Sequence, residues 1–505
     1  MISPTLILLI WPFVCIVFFV TLRFDKALII SVVAGYLFLP DSIPDNLSID
    51  LPLLPPLSKS LSISVAALVG WVICRKNIGY ERQATFGFTW PFIVICCIVL
   101  IVGPFFTSLT NREEITIGNG LLPALDARDA LSLAISTLVA LPPFFLAMKY
   151  LTDEESHREL LKLIVAFALL YSLLVLVELR ISPQINMWTY GYFPHSWGQQ
   201  LREGGFRPVV FLKHGLWLGF FLLTATFAAF SLAAQGEDKA RRTLWLLAGI
   251  WLILVLSISR NLGVVILVIT FLPVLLLLPR RMQTLVYAAI ALIFLFYPAL
   301  HHKGVQKAQL VVSYVEEIAP ERASSLAFRL RNEEQLLARA NEKPIWGWGG
   351  YARNKIFDET GRDISVTDGR WIIVFGVGGW FGYIAYFGLL TIALIILPSI
   401  LKSRKVNNAT LCLAAVTSVN LIYLIPNSAL SPIGWLFAGA IIGYCQVKSG
   451  SQAYPKQNIL KTPAHTRFPI ADIRIKSHTP MSSSINSPRI PYTRNLGRIE
   501  PRKKL

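Results

Sequence analysis

Apolar residues come in blocks of about 20 along most of this chain, the length that spans a bilayer core of ~30 Å as a helix. No other feature narrows the fold so far. The overall balance agrees, with 54% of 505 residues apolar and 15% charged. Soluble domains run nearer a quarter charged. The mean hydropathy is +0.57, so a soluble enzyme of ordinary domains is excluded. Six cysteines (Cys15, Cys74, Cys96, Cys97, Cys412, Cys445) fall in or beside the blocks, without CxxC or Cys/His spacing. They read as small buried hydrophobes.

The runs lie near 4–22, 27–40, 61–74, 88–107, 129–148, 160–181, 209–234, 243–258, 262–279, 283–300, 371–400, 409–425 and 428–447. The expected fold is all-α, a polytopic membrane protein with about 12 to 13 transmembrane helices over residues 1–447. Met1-Ile-Ser-Pro carries no basic residue and no small-residue cleavage site follows, so the first run reads as a retained span. One alternate set of short loops is rich in Lys and Arg: Arg23, Lys26, Arg75, Lys76, Arg82, Lys149, Arg158, Lys162, Lys239, Arg241, Arg242, Arg280, Arg281, Lys402, Arg404 and Lys405. The other holds only Lys59, Arg112, Arg128, Arg180, Arg202, Arg207 and Arg260. The richer set is expected in the cytoplasm, which puts the long loop 301–370 outside.

Residues 448–505 are rich in Ser, Pro, Asn and Thr and carry 12 of the Lys and Arg against Asp472 and Glu500. This reads as a disordered cytoplasmic tail lying on anionic lipids. With no folded reading module beside it, nucleic acid is not the expected partner. No nucleotide-binding or paired-histidine motif is present. Gly347-Trp348-Gly349-Gly350 follows a helical stretch and lacks a Lys. No metal or other cofactor is expected, although Asp126 and Asp129 form a DxxD on an outer loop.

Ionisable groups at membrane depth mark functional sites by default. Three clusters stand out on the outer side. In the first, Arg207, Lys213 and His214 surround Pro208, which suits a first helical turn. Cations at a helix N-terminus make an anion site. The alternative for Lys213 is snorkelling. The second is Ser257-Ile258-Ser259-Arg260-Asn261, in a turn with almost no loop. The third is the long loop. A helix is expected from Ser324 to Lys343, capped by Ser324 or Ser325, with Leu326, Leu330, Leu337 and Ala340 on one face and Pro344 ending it. Arg329 and Glu333 on it read as a solvated i,i+4 pair. Trp346, Trp348 and Tyr351 beside glycines fit either an interfacial belt or stacking on sugars.

The order of these parts resembles the O-antigen polymerase and ligase superfamily of bacterial inner-membrane proteins. The matching pieces are Phe206-Arg207-Pro208 with His214-Gly215, then Ser257-Ile258-Ser259-Arg260, then Arg331 through Lys343-Pro344-Ile345-Trp346-Gly347-Trp348-Gly349, then Thr367-Asp368-Gly369-Arg370-Trp371 and Gly378-Gly379-Trp380-Phe381-Gly382. The likeness covers roughly residues 200–400. It implies a GT-C-like membrane fold and an inverting, metal-independent glycosyltransferase. The implied donor is a glycan on undecaprenyl diphosphate at the periplasmic side. The acceptor would be a growing glycan or lipid A-core, and a chain-length regulator is an implied partner. Ligases usually show a His where the long loop enters the next span. Here that place reads Asp368-Gly369-Arg370, which tilts the reading toward a polymerase of O-antigen, capsule or exopolysaccharide.

In this scheme an acceptor hydroxyl attacks the anomeric carbon and the diphosphate leaves. Arg207, Arg260 and Lys213, helped by Arg329 and Arg331, would bind the diphosphate. Trp346, Trp348, Tyr351 and Arg370 would hold the glycan. Asp368 is the first candidate base, with Asp363 and His214 behind it. For Asp368, a helix N-cap or an ion pair with Arg370 is the ordinary alternative. A flippase of lipid-linked glycans is the rival function, and a scaffold acting through its tail is a third.

Overall fold

The computed structural model describes residues 2–41, 43–44, 47, 56–75, 89–202, 205–301, 312–314, 316–317, 320–403 and 405–447 of a mostly helical protein. The side chains of residues 320–322, 325 and 326 are outside that set, as is the basic tail 448–505 with its expected lipid contact. Lys76, Arg82 and Arg404 from the charge comparison also lie outside the described residues.

Every expected apolar run carries a helix. In chain order these are α1 (Pro4–Thr21), α2 (Phe24–Phe38), α3 (Lys59–Cys74), α4 (Trp90–Leu109), α5 (Ala127–Leu138), α6 (Pro142–Tyr150), α7 (Glu154–Ile181) and the short α8 (Ile185–Tyr190). They continue with α9 (Gly215–Ala234), α10 (Lys239–Ile258), α11 (Leu262–Leu277) and α12 (Arg280–Leu295). The set closes with α13 (Pro320–Asn341), α14 (Arg370–Ser403), α15 (Asn408–Tyr423) and α16 (Pro432–Gln446). Two small antiparallel hairpins pair Ile115–Ile117 with Gly120–Leu122 and Leu201–Arg202 with Gly205–Phe206.

Among the described residues, seven helical segments are long and apolar enough to cross a membrane: α1, α4, α5 with α6, α7, α9, α10 and α14. The protein is therefore membrane-embedded in character. Three shorter apolar helices, α3, α11 and α15, pack among them. The layering is legible from burial. In α9 the apolar window is 83% buried, in α10 only 28%. Leu244, Leu247, Ile250 and Leu254 of α10 are more than half exposed, as expected of a face turned to hydrocarbon. The α5–α6 run breaks at Val139–Leu141, where Pro142 and Pro143 remove two amide donors that the helical ladder would need to continue.

Helices alternate in direction, so the bundle has two ends. At one, Arg23 pairs with Asp25 at 2.9 Å and with Glu155 at 3.2 Å, Lys26 with Glu159 at 3.1 Å and Arg158 with Glu237 at 3.1 Å. The opposite end carries the C-termini of α7, α10 and α15, the N-termini of α9, α11 and α14, and helix α13.

A break inside α14 explains the glycine-rich motifs. Gly379 has φ 60° and ψ −162°, splitting the helix. The carbonyls this releases are taken up by the other motif: Trp348 N–H donates to Gly376 O at 2.8 Å and Gly349 N–H to Val377 O at 2.9 Å. Trp380 N–H donates back to Pro344 O at 2.7 Å. A Cβ at Gly347 or Gly379 would collide with the facing backbone. Irregular backbone at this depth persists because protein satisfies it.

Candidate functional site

The segment ahead of α9 is not helical, which corrects the expected helix start at Pro208. Residues 207–214 form an irregular loop and α9 begins at Gly215 with His214 as its N-cap. The reason is a polar clamp from neighbouring helices. Glu178 of α7 has no exposed surface and accepts from Val209 N–H at 2.8 Å, Val210 N–H at 2.7 Å and Ile185 N–H at 3.2 Å. Tyr171 accepts from Phe211 N–H at 3.0 Å, and Lys59 donates to Phe211 O at 3.0 Å. With its amides satisfied this way, Val210 holds φ 54°, a strained value for a β-branched residue.

This loop delivers Arg207 to Arg260. Arg207 Nη2 donates to Arg260 O at 3.3 Å, and the aliphatic part of Arg207 lies where a Cβ at Gly215 would stand. The Arg260 guanidinium packs on Gly205 in the same way. Arg260 itself has φ 61° in the turn between α10 and α11, and buried Asn261 braces that turn by donating to Ser259 O at 3.2 Å. Both Arg207 and Arg329 act at Coulombic range on the phenol of Tyr423, which donates to Leu216 O at 3.0 Å. Arg329 Nε lies 3.5 Å from Asp368 Oδ2. Three segments far apart in the chain thus meet, and Arg207, Arg260, Arg329 and Asp368 belong to one neighbourhood.

Other expected members are placed elsewhere. Arg331 is exposed, and no contact of its side chain joins it to this group. Lys213 is half-buried and faces His195, whose ring lies 5.2 Å from that of His214. His214 Nδ1 accepts the Leu216 N–H at 3.1 Å, so that nitrogen is committed to capping α9 rather than to proton removal. Asp363 pairs with Lys355 at 2.6 Å and accepts from Ser365 N–H and Oγ–H. Burial raises its carboxyl, but these partners outweigh burial and hold it below the ordinary range. Such a group is a poor base. Asp126 and Asp129 form a capping box at the start of α5. Among the described residues no three His, Cys, Asp or Glu gather as metal ligands.

The aromatic residues also separate. Trp346 stacks with Phe106 at 4.7 Å and Phe381 at 4.6 Å, two rings that are themselves about half exposed, so it belongs to an apolar belt. Trp348 is buried, donates to Arg339 O at 2.6 Å and has the Arg339 guanidinium 3.4 Å over its ring. Its ring is occupied, which corrects the sugar-stacking expectation. Arg370 turns into the bundle, donating to Tyr386 Oη at 2.9 Å, while its amide donates to Leu424 O at 3.0 Å. It anchors α14 and makes no pair with Asp368. Tyr351 is exposed with φ 58° and keeps its ring available.

One residue the sequence reading treated as solvated is not. Glu333 on α13 is 7% exposed. Trp371, at the start of α14, faces it with its indole, though not at strict hydrogen-bond geometry. Tyr297 and Asp368 are within electrostatic reach. Tyr297 and His301 pack on Trp371 at 4.8 and 5.0 Å. Burial pushes the Glu333 carboxyl up to about 7; Trp371 and Arg329 oppose this and Asp368 reinforces it. Only its place one helical turn before Leu336 and Leu337, on the same face, hinted at this.

Comparison of the chain with family models, with curated proteins and with solved structures finds no match.

Proposed function

We propose that this protein is a membrane glycosyltransferase of the O-antigen polymerase and ligase type. It acts on a glycan carried by undecaprenyl diphosphate, at the periplasmic face of a bacterial inner membrane, and adopts a GT-C-like architecture of about 12 to 13 spans. The approach of Arg207 to the Arg260 turn, with Arg207 and Arg329 both acting on Tyr423, carries this reading. Fixed guanidinium groups in a poorly hydrated site stabilise the charge that develops on a leaving diphosphate. The acidic residues Asp368 and Glu333 stand beside Arg329, where an acceptor hydroxyl must lose its proton. The two functions inverting transfer needs therefore lie on adjoining elements.

Of the long loop, α13 and residues 342–369 belong to the arginine end, and the described residues of the lysine- and arginine-rich short loops belong to the other. With the richer loops cytoplasmic, the site faces the periplasm. The acceptor is a growing glycan or lipid A-core, and the Asp368-Gly369-Arg370 entry favours the polymerase. A chain-length regulator would act beside it. The test uses purified protein in liposomes with polyprenyl-diphosphate-linked oligosaccharide on the accessible face. Transfer to acceptor is expected, with release of polyprenyl diphosphate. Movement of the donor between leaflets without any product would establish a flippase instead.

A further inference from the structure

We infer that Glu333, rather than Asp368, receives the proton of the acceptor hydroxyl, with Trp371 and Tyr297 forming the dry wall behind it. The inference rests on the transferase reading and names the base of that same site.

Three observations separate the two carboxylates. Asp368 has a 40% exposed side chain and is engaged by Arg329 at 3.5 Å, so it is screened and directed to a cation. Glu333 is 7% exposed and, among the described residues, makes neither an ion pair nor a strict hydrogen bond. Burying a carboxylate is costly unless a donor meets it, and the Trp371 indole that faces Glu333 does so only outside strict hydrogen-bond geometry, which leaves a place for a further donor. An acceptor hydroxyl is such a donor. The surroundings also suit the task. Trp371 is fully buried, and Tyr297 and His301 close over its ring, which keeps water away from the proton being moved. The groups facing Glu333 are Arg329 on its own helix, Asp368 ahead of α14, Tyr297 beyond α12 and the Trp371 indole. Burial in this company keeps the carboxyl's proton affinity near that needed at neutral pH.

The step balances without a co-reactant. The acceptor O–H bond breaks as its proton passes to the Glu333 carboxylate. The acceptor oxygen forms a bond to the anomeric carbon. The bond from that carbon to the diphosphate oxygen breaks, and its electron pair leaves on the diphosphate against Arg207, Arg260 and Arg329. Asp368 is then a positioning residue that holds Arg329.

The experiment measures single-turnover transfer and donor affinity for wild-type and Glu333→Gln protein in detergent, with a polyprenyl-diphosphate-linked oligosaccharide as donor. Gln keeps size and polarity but accepts no proton. The expected result is a loss of transfer of about 100- to 10,000-fold, donor affinity within about threefold of wild type, and disappearance of an acidic limb centred near neutral pH. Glu333→Asp should recover part of the rate with that limb restored. Wild-type transfer with an equally active Glu333→Gln overturns the base assignment and leaves the transferase reading standing. Loss of donor binding in Glu333→Gln also overturns it, moving the carboxyl to donor recognition. A wild-type protein that binds donor but forms no product would overturn the transferase reading itself.

Discussion

The two ends of this bundle handle their backbone differently. At the ion-paired end, Arg23, Lys26, Arg158 and Lys162 each find a carboxylate within 3.2 Å, and Asp153 and Asp238 cap the helices that start there. No described non-glycine residue at that end has a positive φ. The arginine end holds ion pairs as well, Arg329 with Asp368, Lys355 with Asp363 and Lys343 with Glu113 among them, and Arg207 there also donates to the Arg260 carbonyl. All five described non-glycine residues with positive φ also lie there: Ser182, Val210, Arg260, Tyr351 and Ala352. Strain of this kind costs of order 1–3 kcal/mol per residue and collects where function over-determines a conformation. The described non-glycine backbone strain is thus confined to the arginine end.

Substitutions can break or sharpen this contrast. The largest effect is expected from Arg207→Ala or Arg260→Ala, each lowering glycan transfer by at least about 100-fold while membrane insertion stays intact; assay of polymer in membranes checks both. Wild-type polymer from either variant would end the cationic-site proposal. Next comes Glu178→Ala, which strands three buried N–H groups. A loss of roughly 3 kcal/mol or more is expected, together with loss of transfer because the Arg207 loop is released; thermal unfolding in detergent beside the activity assay tests this. Third, the Glu333 carboxyl has a higher pKa folded, about 7, than its ordinary 4.5. Its contribution to stability is therefore fully present below about 4.5 and is lost as pH rises through 7. Above pH 8, Glu333→Gln should be more stable than wild type by roughly 3 kcal/mol, so a melting-temperature gap that opens with pH is expected. The smallest effect belongs to the other end: Asp153→Ala removes a helix cap for about 1 kcal/mol and should leave transfer unchanged.

Hydropathy made the helices legible, since thirteen apolar runs each met a helix. Arg207 and Arg260 were legible because a cation inside or between apolar runs has no cheap explanation. Glu333 was hidden by Arg329 four residues earlier. That spacing describes a solvated pair, and only packing of α13 onto Trp371 and Tyr297 buries the carboxyl. Glu178 was hidden for a related reason. A Glu near a helix end looks solvent-facing until a loop some 30 residues later brings its amides. Trp346 and Trp348 misled because an aromatic beside glycines suits a sugar as well as a broken helix. The glycines decided between these: φ of 74° at Gly347 and 60° at Gly379 belong to two backbones pressed together.

That pressed contact has a consequence for how the long connection moves. Residues 344–349 are riveted into the gap in α14, so the segment from α13 to Asp368 cannot swing away as a hinged flap. Hydrogen–deuterium exchange should find the amides of Trp348, Gly349 and Trp380 as slow as those of helix interiors, although they sit beside a rupture in the helix. On the transferase proposal, substrates would then reach the arginine end by a lateral path along the bundle, not by the lifting of a cover.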